Sequence, residues 1–318
     1  MILTVTLNAA IDRTVAVPNF HLGHRHRAVE AQTVAGGKGV NVARALKLLG
    51  RPVIATGLAG GPTGTRILER LAEESILHDF TPIAEESRTN LAVIDPTSGQ
   101  QTEINERGPS VRPEEVERFV EKLLYLAQGA EFCVIAGSVP PGIDADVYAR
   151  LIRELRSLGV PTLLDTDGEP MRLGLRAGPD VVAPNELEAE QAVGHEFADS
   201  ADLAMALSSL LEMGAREAIV TRGNGCVAIA GEDGGRRRYE VEIDPLEPIA
   251  TVGSGDAFVA GYISARFLGA EGQDALAYGV ACGAQSTQHF GAGEIEPAEV
   301  ERLLGKLEVR EIDVPAAA

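Results

Sequence analysis

The run Thr251-Val252-Gly253-Ser254-Gly255-Asp256-Ala257-Phe258 sets three small residues before an acid, and apolar residues follow at helical spacing (Phe258, Val259, Tyr262, Ile263, Phe267). A run of this kind makes a tight turn that opens a helix. The first N–H groups of that helix have no partner within it, and with the positive dipole end they form an anion site. Asp256 falls in the first turn, where it reads either as a helix-start acid or as a group placed to act on what the anion site holds. A second cluster, Ala35-Gly36-Gly37-Lys38-Gly39-Val40-Asn41-Val42-Ala43, lets a ligand approach the backbone at Gly37, supplies a charge at Lys38, and offers the amide of Asn41 at a helix start.

The elements that must position these residues alternate in kind. A short β-rich run at 2–7 ends at Asn8, and the segments 12–17 and 25–34 alternate polar and apolar residues as half-exposed strands do. Helical spacing follows the glycine cluster (Val40, Val42, Ala43, Leu46, Leu49) and stops at Gly50, before a strand at 52–56 and a helix at 63–74. The runs 90–94 and 101–105 flank the turn Pro96-Thr97-Ser98-Gly99, and this hairpin together with the two runs near 12–34 predicts a small antiparallel sheet apart from the main body. From Pro113 onward, helices at 113–128, 144–157, 186–193 and 200–213 are interleaved with Val/Ile/Leu-rich strands at 132–136, 161–165 and 217–221. Strands at 227–230 and 237–243, helices at 255–268 and 272–287, and a frayed end at 314–318 complete the chain.

That alternation predicts an α/β fold with a mostly parallel sheet covered on both faces, plus the small β appendage. In such sheets ligands sit beyond the carboxyl ends of the strands. Gly137-Ser138, Asp165, Asn185, Thr221 and the 253–256 turn all follow predicted strands.

The chain has 318 residues, with 28 basic and 47 acidic side chains and a net charge of −19. A field of that sign repels nucleic acid and anionic lipid, so neither is expected as a partner, and an anionic substrate would need a local basic cluster. Cys133, Cys226 and Cys282 lie far apart with no metal or redox spacing, which fits a reducing cytosol. No apolar run reaches the ~20 residues a membrane span needs, and a cytoplasmic protein is expected. The chain contains no G-x-x-x-x-G-K-[ST] and no G-x-S-x-G, so it has neither a P-loop nor a nucleophile elbow.

Read together, GGKGVNVARALKLLG at 36–50 and TVGSGDAF at 251–258 resemble the paired signatures of the phosphofructokinase-B (ribokinase-like) sugar kinases. Further agreement lies in TLNAAID at 6–12, SRTN at 87–90, QQTEINERGP at 100–109, GSVPPG at 137–142, PNELE at 184–188 and TRGNG at 221–225. The run TEINERGP and Lys38 point to the phosphosugar branch, which holds tagatose-6-phosphate kinase and 1-phosphofructokinase. The resemblance implies one three-layer α/β/α kinase domain over 1–318, with lid strands from about 12–34 and 88–107 inserted in it and serving as a dimer contact. It implies ATP and Mg²⁺ as cofactors and a phosphorylated ketohexose as substrate. Asp256 would be the base, and Gly253, Ser254 and Gly255 would hold the transferring phosphoryl group. Asp12, Gly37 and Asn41 would meet sugar hydroxyls, Lys38, Arg88 and Arg27 the substrate phosphate, and Ser138 a further point near the sugar. Asn185, Glu188 and Asp165 would position Mg²⁺ through water, while Thr221, Gly223, Gly225 and Cys282 would receive the nucleotide.

Three residues depart from the family pattern. Ala250 replaces an Asp tied to a monovalent-cation site, so K⁺ dependence is not expected; Ala9 replaces a Pro; Ala183 replaces a Lys that contacts nucleotide phosphate. Arg222 is the candidate to compensate for Ala183. The competing readings are a kinase of an unphosphorylated sugar or nucleoside, which would leave the cations unpaired, and a non-catalytic sugar-phosphate sensor, which the intact Asp256 turn argues against.

Overall fold

The computed structural model describes residues 1–232 and 235–312, so the expected fraying at 314–318 lies outside the described residues. The chain runs β1 (Ile2–Thr6), β2 (Ala10–Ala16), β3 (Glu30–Gly36), α1 (Lys38–Leu48), β4 (Val53–Gly60), α2 (Gly61–Glu73), β5 (Leu77–Ile83), β6 (Arg88–Ile94) and β7 (Gln101–Ile104). Regular alternation follows: α3 (Pro113–Ala127), β8 (Phe132–Ala136), α4 (Val147–Ser157), β9 (Thr162–Asp165), α5 (Gly168–Arg176), β10 (Val181–Val182), α6 (Glu186–Val193), α7 (Ser200–Glu212) and β11 (Glu217–Arg222). The last part holds β12 (Gly225–Glu232), β13 (Gly235–Glu242), α8 (Ser254–Phe267), α9 (Gly272–Ser286), α10 (Pro297–Leu304) and β14 (Glu308–Ile312).

Ten strands form one sheet in the order β14-β13-β12-β11-β10-β9-β8-β1-β4-β5. The segment from β5 to β11 is parallel, and β12 to β14 extend it antiparallel. Its central strands are buried on both faces, as the continuous apolar runs predicted. Side chains alternate between two cores: in β8, Val134 and Ala136 pack on the side of α1, α8 and α9, while Cys133 and Ile135 pack on the side of α3 and α4. From β1 the sheet grows outward in both directions, to β4 on one side and β8 on the other. A crevice therefore opens above the carboxyl end of β1, at the switch in strand order where such sheets bind ligands.

The second sheet has the order β3-β2-β6-β7 and the predicted hairpin at one edge. It is not wholly antiparallel: β2 and β6 run parallel, from Ala10 opposite Arg88 to Ala16 opposite Ile94. The strand expected from residue 25 begins only at Glu30. Asn19 and Gly23 adopt positive φ, and the N–H groups of Asn19 and Phe20 are taken by the Asp95 carboxylate, so the preceding segment is a loop. Three strands and two helices escape periodicity: β5 is a half-exposed edge strand containing Pro82, β10 has two residues, β14 is largely exposed, and α5 and α10 are short. Among the described residues no helix is long and apolar enough to cross a membrane.

Candidate active site

A cleft of about 890 Å³ lies between the carboxyl ends of the large sheet and the face of the small one. Its lining includes Asp12, Gly37, Lys38, Asn41, Arg88, Ser138, Asp165, Asn185, Glu188, Thr221, Gly223 and the whole of 253–256. Residues from both glycine clusters and from four strand ends thus meet in one place.

The turn that opens α8 has Gly253 as its N-cap, at φ 80. A Cβ there would lie 2.8 Å from the Cβ of Ala292, so only glycine lets the 290–295 segment support the turn. No side chain caps the helix, residues 253–256 all line the cleft, and the Ser254 N–H donates to the Thr251 carbonyl at 3.2 Å. Asp256 is only 6% exposed and accepts a hydrogen bond from Asn41 Nδ2 at 2.9 Å. Burial pushes its carboxyl up to about 7, with the charge of Asp165 adding to the rise and Lys38 and the Asn41 amide opposing it. The charge that adds to the rise, Asp165 at the end of β9, and the α1 groups that oppose it are all remote from Asp256 in sequence.

Lys38, the first residue of α1, projects Nζ to within 2.8 Å of Asp165 Oδ1 and 3.0 Å of Glu188 Oε1. Burial alone would lower its pKa, but the carboxylates of Asp165, Glu188 and Asp256 hold it above the ordinary lysine range. Glu188 also accepts from the Asn185 backbone N–H, while the Asn185 side chain accepts from the Glu188 N–H: a capping box that starts α6. The Asn-x-x-Glu motif is therefore built into the fold, and Glu188 still reaches the cleft.

Beyond Lys38 lies a separate polar group. Asp12 accepts from Asn90 Nδ2 at 2.8 Å and packs on Gly36, where a Cβ would come within 1.9 Å of Asp12 Oδ2. Burial raises the Asp12 carboxyl, against Asn90, Arg88 and Arg44. Arg88 donates through Nε to the Asn8 carbonyl at 3.1 Å and through Nη1 to the Glu106 carbonyl at 2.9 Å. Asn8 Nδ2 in turn donates to Ser138 Oγ at 3.1 Å and to the Arg107 carbonyl at 3.0 Å. Arg88, Arg107 and Ser138 line a side cavity of about 400 Å³ that adjoins the main cleft.

Lys38 and Arg88 thus bond to different partners. Of the three cations expected at the substrate phosphate, Lys38 and Arg88 both line the cleft, Lys38 paired with Asp165 and Glu188 and Arg88 with the Asn8 and Glu106 carbonyls. Arg27 is exposed on the loop between β2 and β3 and lines no part of the cleft. Positive φ at Gly23 and the absence of sheet pairing before Val29 carry that loop outward.

A second cavity, about 170 Å³, continues from the cleft between Thr221, Gly223, Gly225, Leu246, Val280, Gly283, Ala284 and Thr287. Cys282 is a correction. It is fully buried with its side chain against Gly261, because in α9 the residues two before and one or two after it face the cavity and it faces α8. Arg222 lines both cavities, but its Nη2 donates to Glu240 Oε1 at 3.1 Å and Glu242 Oε1 at 2.7 Å.

Sequence reasoning missed Asn8, Asn90, Arg107 and Arg44. Arg44 had a legible signal: it lies three residues after Asn41, on a helix whose remaining inward positions are apolar.

Among the described residues no three His, Cys, Asp or Glu side chains converge as metal ligands. Asp165 and Glu188 do converge on one cation, the Lys38 ammonium. Two carboxylates suit an ion that keeps several waters and shares nucleotide phosphate oxygens, as Mg²⁺ does, and they do not make a closed protein cage.

Comparison with known proteins accords with this geometry. The sequence model of the pfkB family carbohydrate kinases matches residues 3–299. The 1-phosphofructokinase of Borreliella burgdorferi is 31% identical over 313 residues, covering 98% of this chain and 99% of the relative. A solved Thermotoga maritima protein, described as a possible 1-phosphofructokinase, superposes with a TM-score of 0.89 at 26% identity, covering 98% of this chain and 100% of that one. Phosphofructokinase-2 of Escherichia coli in complex with fructose-6-phosphate superposes with a TM-score of 0.86 at 26% identity, covering 96% and 98%. With the Asp256 turn and the GGKGVN cluster facing each other across one cleft, the chain belongs to the pfkB family of carbohydrate kinases.

Proposed function

We propose that the protein transfers the γ-phosphoryl group of ATP, with Mg²⁺, to the hydroxymethyl group of a ketohexose monophosphate, giving a bisphosphate. The observation that carries this reading is that one cleft collects Asp256, Asn41 and Lys38 together with the cationic Arg88 and with Ser138. Fructose 1-phosphate leads, on the strength of the 1-phosphofructokinase relative; tagatose 6-phosphate follows, and fructose 6-phosphate stands behind them.

Asp256 orients the attacking hydroxymethyl and takes its proton. In a loose transition state charge spreads over the transferring oxygens, and the N–H groups of 253–255 and the Lys38 ammonium stabilise it there. Asp165 and Glu188 would hold Mg²⁺ through water, and the ion when bound neutralises nucleotide phosphate charge. Arg88, with Arg107 and Ser138, would receive the substrate's own phosphate, for which a guanidinium fork is suited. Asp12 and Asn90 would meet sugar hydroxyls. The slot between Leu246 and Val280, floored by Gly223 and Gly225, would receive the adenine end. Ala250 leaves no carboxylate for a monovalent cation, and no K⁺ dependence is proposed.

The small sheet would act as a lid over the sugar and as a homodimer contact within one kinase domain spanning the chain. Three buried free cysteines accord with a reducing compartment, and we place the enzyme in the cytoplasm. A coupled ADP-release assay over phosphorylated and free sugars tests the reading. Turnover of a ketohexose monophosphate is expected; turnover of free sugars only would remove the phosphate site, and no turnover with any sugar would leave a non-catalytic sensor.

A further inference from the structure

Arg44 is a charged residue in the interior. It lies on α1 at 4% exposure, and each nitrogen of its guanidinium meets a protein group. Nε donates to Glu74 Oε2 at 2.5 Å, and Nη2 donates to Glu74 Oε1 at 3.0 Å and to the Ala35 carbonyl at 2.6 Å. Nη1 donates to Asn41 Oδ1 at 2.9 Å and to the Ala292 carbonyl at 3.0 Å. A buried charge is retained at considerable desolvation cost, and removing one partner leaves the rest uncompensated.

We propose that Arg44 is a positioning residue for phosphoryl transfer: it fixes the carboxamide of Asn41 so that its NH₂ faces Asp256, and holds the segment supporting the Asp256 turn. The inference rests on the kinase reading above, in which Asp256 is the base.

The chemistry of the donors determines the orientation. A guanidinium has no acceptor, so the Asn41 atom it meets must be the amide oxygen, and the opposite atom, facing Asp256 Oδ2 at 2.9 Å, must be the NH₂. Without Arg44 only the ionised Asp256 carboxylate would favour the NH₂ end, and a protonated Asp256, which can itself donate, would take either end. The second branch is steric. The Ala292 carbonyl held by Nη1 belongs to the segment on which Gly253 packs, with Ala292 Cα 2.9 Å from where a Gly253 Cβ would be. In the same segment a Gly293 Cβ would come within 2.6 Å of the Asn41 carbonyl, so the loop, α1 and the turn are stacked without slack. The third branch, to Ala35, ties in the last residues of β3 before the glycine cluster. Glu74, from the end of α2, anchors the far edge of the guanidinium and takes no part in the cleft.

Arg44→Lys keeps the charge and loses the fork. Misplacing a reacting group by about 1 Å costs up to about a hundredfold in rate, so kcat is expected to fall between about tenfold and about a hundredfold, with both KM values within about threefold. A merely structural role would lower the folded fraction and leave kcat per folded enzyme intact. The decisive measurement is a double-mutant cycle with Asn41→Ala, normalised to folded protein. The loss caused by Arg44→Lys should shrink severalfold once Asn41 is gone, because only the Ala292 branch is then left for Arg44 to act through. If Arg44→Lys does not fold, Glu74→Gln, which weakens the anchor from outside the cleft, carries the same cycle with a smaller loss in the same direction. Equal losses in both Asn41 backgrounds, or no loss of kcat in either variant, would overturn the inference. A wild-type enzyme that turns over no sugar phosphate would instead overturn the kinase reading, and the inference with it.

Discussion

Lys38 Nζ donates to Asp165 Oδ1 across 2.8 Å, so the cation offered by the glycine cluster is matched by a carboxylate at the end of β9 before any ligand arrives. Asp165 is buried, and burial raises its carboxyl while the ammonium lowers it. Lys38 and Asp165 line the cleft with Asp256, and in the proposed reaction Lys38 would serve the phosphoryl group in flight rather than the phosphate the sugar already carries. Lys38→Met is therefore expected to lower kcat by about a hundredfold or more while the KM for the sugar phosphate changes little. Steady-state kinetics decide it. A large rise in that KM with kcat retained would return Lys38 to the substrate phosphate.

The complementary prediction concerns Arg88. Its guanidinium rests on the carbonyls of Asn8 and Glu106, and burial lowers its pKa while Asp12 and Glu106 oppose the fall. Arg107 borders the same side cavity. Arg88→Gln and Arg107→Gln should each weaken binding of the ketohexose monophosphate, Arg88→Gln by about tenfold or more since a charge-assisted contact is lost. Affinity for the unphosphorylated sugar should not change, which calorimetry with both ligands would show. Equal weakening for both ligands would mean that the arginines only support the cleft wall.

The α/β alternation from residue 113 onward was legible because most buried strands and helices carry their own period, and that was enough to place Ser138, Asp165 and Thr221 at the ends of named strands, while Asn185 follows β10, two residues that carry no period. The pairing of Asn41 with Asp256 was less legible. The sequence named both residues, but their hydrogen bond depends on α1 and α8 packing side by side. The strand expected around Arg27 failed for the converse reason: the local pattern there is strand-like, while the loop's course is set by Asp95, far along the chain, capturing the N–H groups of residues 19 and 20. Cys282 failed on helical phase, since its neighbours line the cavity and it points into the α8 packing. Glu188 could be read as a capping residue or a site residue, and it is both.

Asp256 should impose a pH dependence on both rate and stability. Acting as a base it must be ionised, so kcat/KM is expected to fall on the acid side with a midpoint near about 7. Asn41→Ala removes a bond that favours the ionised form and should move that limb upward. For stability, the folded-state value lies above the unfolded one of about 3.9, so folding is disfavoured progressively as pH rises from there to the folded value. Asp256→Asn is accordingly expected to be inactive, and to melt a few degrees above wild type at pH 8, with the gain shrinking toward pH 4. Thermal melts across that range check it. A gain that grows toward acid pH would contradict the raised carboxyl.

Arg222 is the remaining cation at the nucleotide end, and its contacts argue that it does not replace the lysine absent at Ala183. Its Nη2 is shared between Glu240 and Glu242, side chains two apart on β13 that therefore lie on one face of the sheet. Such a guanidinium keeps two like charges together, and its first effect is on the sheet. Arg222→Ala is expected to leave kcat and the KM for ATP within about twofold and to lower the melting temperature by a few degrees, since two partly buried carboxylates lose their common partner. Arg222→Ala combined with Glu240→Gln should recover part of that loss. If Arg222→Ala raises the KM for ATP severalfold at unchanged stability, the arginine reaches nucleotide phosphate after all, and its ion pair with β13 is then only where it rests between turnovers.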